Sequence, residues 1–184
     1  MSIVLVGSTS GSITLQEPAV AGTTVLSLPA VTGTVLTDTS PKAGNVIQVV
    51  SFALGSGTVT TTSSTRSDTG LTATITPTSS SSKILCLVDM VGCEKSGGSG
   101  GGAYLLFILM RAGTDIIRFE GQGGYTQNTN LNSFGSCSTN FLDSPATTSA
   151  TTYKVQFNNP TNSGTVGFNN SSGVSTITLL EIAA

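Results

Sequence analysis

Three observations predict an all-β fold for this 184-residue chain. Ser and Thr occupy 26 and 30 positions, and with Val, Ile and Gly they favour pleated sheet over helix. Short apolar or alternating runs recur about every 8 to 15 residues. Turn clusters separate them, such as Pro77-Thr78-Ser79-Ser80 and Asn158-Asn159-Pro160-Thr161-Asn162. A series of this kind reads as an antiparallel β-sandwich or barrel. With 38% hydrophobic and only 9% charged residues, the chain lacks the signature of disorder.

The first 44 residues differ in texture from the rest and contain an internal repeat. The sequence PAVAGT at 18–23 returns as PAVTGT at 29–34. Each copy follows a short apolar strand, Ile13-Thr14-Leu15 and then Val25-Leu26-Ser27-Leu28, and Thr34-Val35-Leu36-Thr37 supplies a third. Pro presets φ for each turn and Gly permits a positive φ. Strands this short cannot bury a sufficient core by themselves. Only Glu17, Asp38 and Lys42 bring charge to the segment. The expectation is an arm ordered against other copies or a larger particle, through Ile13, Leu15, Val25, Leu26, Leu28, Val35 and Leu36. Each contributes at most about 1.5–3 kcal/mol if fully buried, less the cost of ordering. An edge hairpin folded onto the same chain is the plainer alternative.

Residues 38–44, with Pro41, Gly44 and small polar side chains, read as a linker. This divides the chain into an arm at 1–44 and a sandwich head at 45–184. Strands are predicted in the head at 46–54, 57–62, 71–76, 83–91, 103–111, 114–120, 133–142, 152–158, 164–169 and 174–182. Leu71, Ala73 and Ile75 alternate with Thr72, Thr74 and Thr76, and Tyr153, Val155 and Phe157 with Lys154 and Gln156. Such strands have one dry and one wet face. The runs 84–88 and 104–110 are apolar on both faces and need a second cover. Subunit contact is the simplest cover, and folding over of the arm is the alternative.

Composition also excludes chemistry. Without His there is no Ser-His-Asp or Cys-His machinery and no His-ligated metal. Seven Lys and Arg at pI 4.8 cannot form a nucleic-acid stripe. The longest apolar run, 103–110, is too short for a membrane-spanning helix. The N-terminal sequence lacks the basic region and long apolar stretch of a signal peptide. Cys86, Cys93 and Cys137 have no metal-ligand spacing and read as reduced, buried thiols. The Gly-rich tip at 96–102 has no helix or Lys-Ser/Thr after it, so it is no phosphate cradle.

Among the nine carboxylates, Asp89 with Glu94 and Asp115 with Glu120 are the pairs to weigh for acid–base work. Solvated charges near strand ends are the plainer reading. No acidic cluster suits calcium. The loop at 121–130 is the one candidate ligand loop: Tyr125, Gln127, Asn128 and Asn130 are residue types that recognise sugar hydroxyls, although polar filling of a surface loop explains them as well. The expectation is a chain that binds or builds, with no catalysis, cofactor or metal.

The stretch 11–37, GSITLQEPAVAGTTVLSLPAVTGTVLT, resembles a segment found near the start of tailed-bacteriophage fibre and surface proteins. The texture of 75–85, 142–156 and 175–182 is similar to the heads that follow it, especially in marine and cyanobacterial phages. The resemblance touches about half of the chain, through low-complexity motifs that mark a class. It implies a virion structural protein, made in the host cytoplasm, with a jelly-roll head of the tumour-necrosis-factor-like sort in an intertwined homotrimer. It brings no catalytic residues. The implied partners are other copies, a major capsid, tail or neck protein, and a host-surface glycan; nucleic acid and membrane are not among them. Only 44 residues precede the head, which favours a capsid decoration or head-fibre protein attached through its arm. A short tail or neck fibre whose head binds a host-surface glycan or receptor is the alternative.

Overall fold

The computed structural model describes residues 2–6, 9–16, 30, 41–55, 57–97, 102–120 and 132–184. The chain falls into two units, residues 1–35 and 36–184.

In the first unit β1 (Ser2–Val6) and β2 (Ser12–Gln16) form an antiparallel ribbon, with Val4 opposite Thr14 and Val6 opposite Ser12. β2 contains the predicted Ile13–Leu15 strand. β1 was not predicted, because its unbroken Ile3-Val4-Leu5-Val6 run has no alternation to mark a strand. Val4, Leu5 and Val6 are 53%, 55% and 80% exposed. Successive strand residues point to opposite sides, so β1 exposes apolar side chains on both of its faces. Apart from Ala30, the repeat lies outside the described residues, as do Val25, Leu26, Leu28, Val35 and Leu36.

The second unit is a two-sheet sandwich whose described strands match the ten predicted ones. They are β3 (Val46–Leu54), β4 (Val59–Thr61), β5 (Ser67–Ile75), β6 (Lys83–Ser96), β7 (Leu106–Arg111), β8 (Thr114–Glu120), β9 (Asn132–Asp143), β10 (Thr151–Asn158), β11 (Thr165–Phe168) and β12 (Ser175–Ile182). One sheet has the order β5-β10-β7-β8. In the other, β6 is central, with β9 along one edge and β12 followed by β11 along the other. β3 flanks β12 and β4 flanks β11. Every pairing within the two sheets is antiparallel.

β6 runs on to Ser96, past the predicted end at Val91. Gly92, at φ 57, sits in a bulge where the register to β9 shifts between Met90 and Glu94. A Cβ there would lie 2.6 Å from the backbone N and O of Asn170, so no larger residue fits without moving that segment.

Alternation builds the core. Leu71, Ala73 and Ile75 of β5 and Tyr153, Val155 and Phe157 of β10 meet Ile84, Cys86, Val88 and Met90 of β6 and Ile177 and Leu179 of β12 in one buried cluster. Phe107 of β7 stacks on Phe119 at 5.4 Å and meets Phe168 edge-on at 5.8 Å.

The two strands expected to need a second cover behave differently. Leu106, Ile108 and Met110, on the outer side of β7, are already buried within one chain as a separate cluster. The expected subunit contact is therefore corrected for this strand. Ile108 lies beside Gln156 and Met110 beside Lys154 on the neighbouring β10. The polar ends of both donate to Asp68, at 2.9 Å from Lys154 and 2.7 Å from Gln156. On β6, in contrast, Leu85 is half-buried and Leu87 is 41% exposed.

Candidate functional site

The candidate ligand loop, with Tyr125, Gln127, Asn128 and Asn130, lies outside the described residues. Three of the four carboxylates weighed for acid–base work, Asp89, Glu94 and Asp115, have partners of their own. Asp115 pairs with Arg66 at 2.7 Å. Asp89 accepts a hydrogen bond from Ser138 Oγ at 2.6 Å, and Glu94 accepts one from Asn170 Nδ2. Among the described residues no three His, Cys, Asp or Glu side chains form a group that could hold a metal ion. The reading of the carboxylates as solvated edge charges is corrected for Glu94, Asp143 and Glu181, which are all buried.

Asp143 ends β9 and joins the two sheets. It accepts Arg111 Nη1 from β7 and the Tyr153 hydroxyl from β10, each at 2.7 Å. Arg111 is held above its ordinary value by that hydrogen bond, against the effect of its partial burial. Burial, reinforced by the Asp143 carboxylate, pushes the Tyr153 phenol well above its usual range. The same two causes push the buried Cys86 thiol up to about 12. Cys86, Cys93 and Cys137 are buried and joined in no disulfide, as predicted. A thiol so resistant to ionisation is a poor nucleophile.

A second polar cluster closes the bulged end of β6. Asn169, left-handed at φ 57, accepts from Ser175 Oγ at 2.6 Å, and its backbone N–H donates to Val91 O at 2.8 Å. The Val91 N–H in turn donates to Ser175 Oγ at 3.1 Å. These bonds satisfy the backbone groups that the bulge removes from the ladder.

Glu181, fully buried on β12, accepts Gln48 Nε2 at 2.5 Å and the Thr78 N–H and hydroxyl at 2.7 and 2.8 Å. Burial opposes its charge, but these donors outweigh burial and hold the carboxyl below its usual range. Asp68 is lowered too, by its hydrogen bonds from Lys154 and then Gln156. A depressed folded-state value stabilises the fold above the unfolded value of about 4 and loses that contribution as pH falls through the folded value. Urea midpoints are therefore expected to hold level at neutral pH and to fall below about pH 4. Glu181→Gln should flatten that slope. An unchanged slope in Glu181→Gln would place the acid sensitivity elsewhere.

The remaining polar surface of interest is the outer face of the larger sheet. Register places its outward side chains in rows. Leu180 lies opposite Val49 and Leu85, and Leu85 opposite Leu142, so one row is apolar across four strands. Val49 and Leu142 are 57% and 55% exposed. The next rows turn polar: Thr178, Leu87 and Asn140, then Thr176, Asp89 and Ser138. Short side chains beside a row of leucines leave a hollow of about 410 Å³ over β6, β9 and β12. Sequence reading missed it because its lining comes from three strands far apart in the chain, and only pairing brings them together.

No protein-family model matches the chain, and no curated protein matches it. Among solved structures it is similar to a chain of the tripod (BppUct-A-L) from the baseplate of bacteriophage Tuc2009. The TM-score is 0.32 at 12% identity, over 92% of this chain and 84% of that one. A likeness of that kind carries no argument about fold or function.

Proposed function

We propose that this chain is a non-enzymatic structural protein of a tailed-phage virion, a capsid decoration or head-fibre protein that attaches through its N-terminal arm. The observation that carries the reading is the β1–β2 ribbon. It exposes Val4, Leu5 and Val6 on two faces, and residues 2–16 include no charged side chain. An isolated two-stranded ribbon is marginal in water, so this one calls for a surface to lie against. The resemblance of residues 11–37 to the leading segment of phage surface proteins names that surface as the virion.

The head supports the same reading. In chain order its eight main strands visit the larger sheet at β3, β6, β9 and β12 and the smaller at β5, β7, β8 and β10. We read this order as a jelly roll, the head that the resemblance implies.

Deletion of residues 1–37 is expected to leave a head that unfolds cooperatively yet no longer joins particles, measured by co-sedimentation with virions. A truncated head that still decorates particles would sink the arm's role. Immunogold labelling of virions separates the sites of attachment. Gold over the capsid agrees with decoration, gold confined to the tail or neck replaces it with a short fibre, and accessible particles without gold overturn the virion reading.

A further inference from the structure

We infer that the hollow on the outer face of the larger sheet binds a neutral saccharide. It is an open hollow of about 410 Å³ on the sheet surface, so a ligand there lies with one side in solvent. Its lining supplies hydrogen-bonding groups of every kind a sugar needs: the Asp89 carboxylate, the Asn140 amide and the hydroxyls of Ser138, Thr176 and Thr178. Hydroxyl groups both donate and accept, so a polyol satisfies carboxylate, amide and hydroxyl together.

The charges narrow the ligand further. No Lys or Arg lines the hollow, and Asp89 is in no ion pair among the described residues. One uncompensated carboxylate repels phosphate, sulfate or an acidic sugar. It is also too few ligands for a calcium ion, which takes six to eight oxygens. Leu87, 41% exposed between the two polar flanks, gives an apolar contact. A pyranose ring has a face of C–H groups and an edge of hydroxyls, which fits this division.

The groups are also held in place. Asp89 Oδ1 takes the Ser138 hydroxyl at 2.6 Å, leaving Oδ2 for a ligand, and Thr178 Oγ1 shares a hydrogen bond with Ser51 Oγ at 3.1 Å. β6 is paired along both edges where it carries Leu87 and Asp89. A site on paired strands moves less than one on a loop.

The test is saturation-transfer NMR and calorimetry on the full-length protein with maltose, cellobiose, lactose and chitobiose, and sialyllactose as the charged comparison. At least one neutral sugar is expected to bind with millimolar affinity. Asp89→Asn and Asn140→Ala should each weaken it about ten-fold or more, and Thr62→Ala, away from the hollow, should leave it unchanged. Urea midpoints of each variant check that the head remains folded. Failure of all four neutral sugars to bind, binding that survives both substitutions, or preference for sialyllactose would each overturn the inference. These measurements use purified protein, so their failure leaves the virion reading standing, and gold labelling can fail without touching them.

Discussion

Phe107→Ala is expected to lower the unfolding free energy by about 3–5 kcal/mol, the range for removing a large aromatic from a packed core. Phe107 is fully buried on β7, and its ring meets three others: Phe119 at 5.4 Å, Phe168 at 5.8 Å and Phe157 at 6.4 Å. Phe119 and Phe157 belong to its own sheet, on β8 and β10, whereas Phe168 comes from β11 of the opposite sheet. The lost ring therefore leaves a void between the sheets, bounded on several sides by strands paired into ladders. Such walls collapse poorly, which places the cost high in the range. Each lost aromatic contact adds about 0.5–1.5 kcal/mol beyond simple burial. Phe107→Leu keeps much of the volume and should cost less than half as much. Urea midpoints with an unchanged slope measure both. A loss under about 1 kcal/mol for the alanine variant would mean that the two sheets close over the gap.

The strands of the head were legible because half-buried strands advertise their period. Thr72, Thr74 and Thr76 against Leu71, Ala73 and Ile75 define both the element and its inner face by residue type alone. Where the period fails, so does the reading. Gly92-Cys93-Glu94-Lys95 gives no alternation, yet β6 continues through it, because the bulge and the Asn169–Ser175 contacts satisfy the backbone. β1 was missed for the same reason. Apolar residues on both faces of β7 correctly signalled a second cover but not its source, which lies within the chain.

Sites were less legible than strands. Asp143 reads as a lone charge at a strand end, and nothing in its vicinity in sequence announces Arg111, 32 residues earlier. The hollow depends on register: Asp89 meets Ser138 and Thr176 only through the pairing of β6 with β9 and β12. Short polar residues on three strands look like ordinary solvent-facing filling until they fall beside the row of Leu85, Leu142 and Leu180. The signal was present as alternation, but alternation identifies a wet face and says nothing of its shape.

Asp143→Ala is expected to cost about 3 kcal/mol. Asp143 is 7% exposed, and its carboxylate accepts from both Arg111 and Tyr153, the second fully buried. Removing it strands two donors at once. Breaking a buried ion pair typically costs about 3–5 kcal/mol, but Arg111 keeps 31% of its side chain in solvent and recovers hydration, so the lower end applies. The Tyr153 hydroxyl has no such recourse, and a buried unpaired donor costs about 1–3 kcal/mol. Tyr153→Phe removes that donor without exposing the carboxylate and should cost only about 1 kcal/mol. The two changes act on one bond, so the double variant should lose less than the sum of the singles, with a coupling of about 0.5–3 kcal/mol. Because Asp143 belongs to β9 and its partners to β7 and β10, that coupling measures attachment between the sheets. If Asp143→Ala costs no more than Tyr153→Phe, or the two effects simply add, the joint between the sheets rests on apolar packing around Phe107 and Tyr153, and the ion pair is a surface feature.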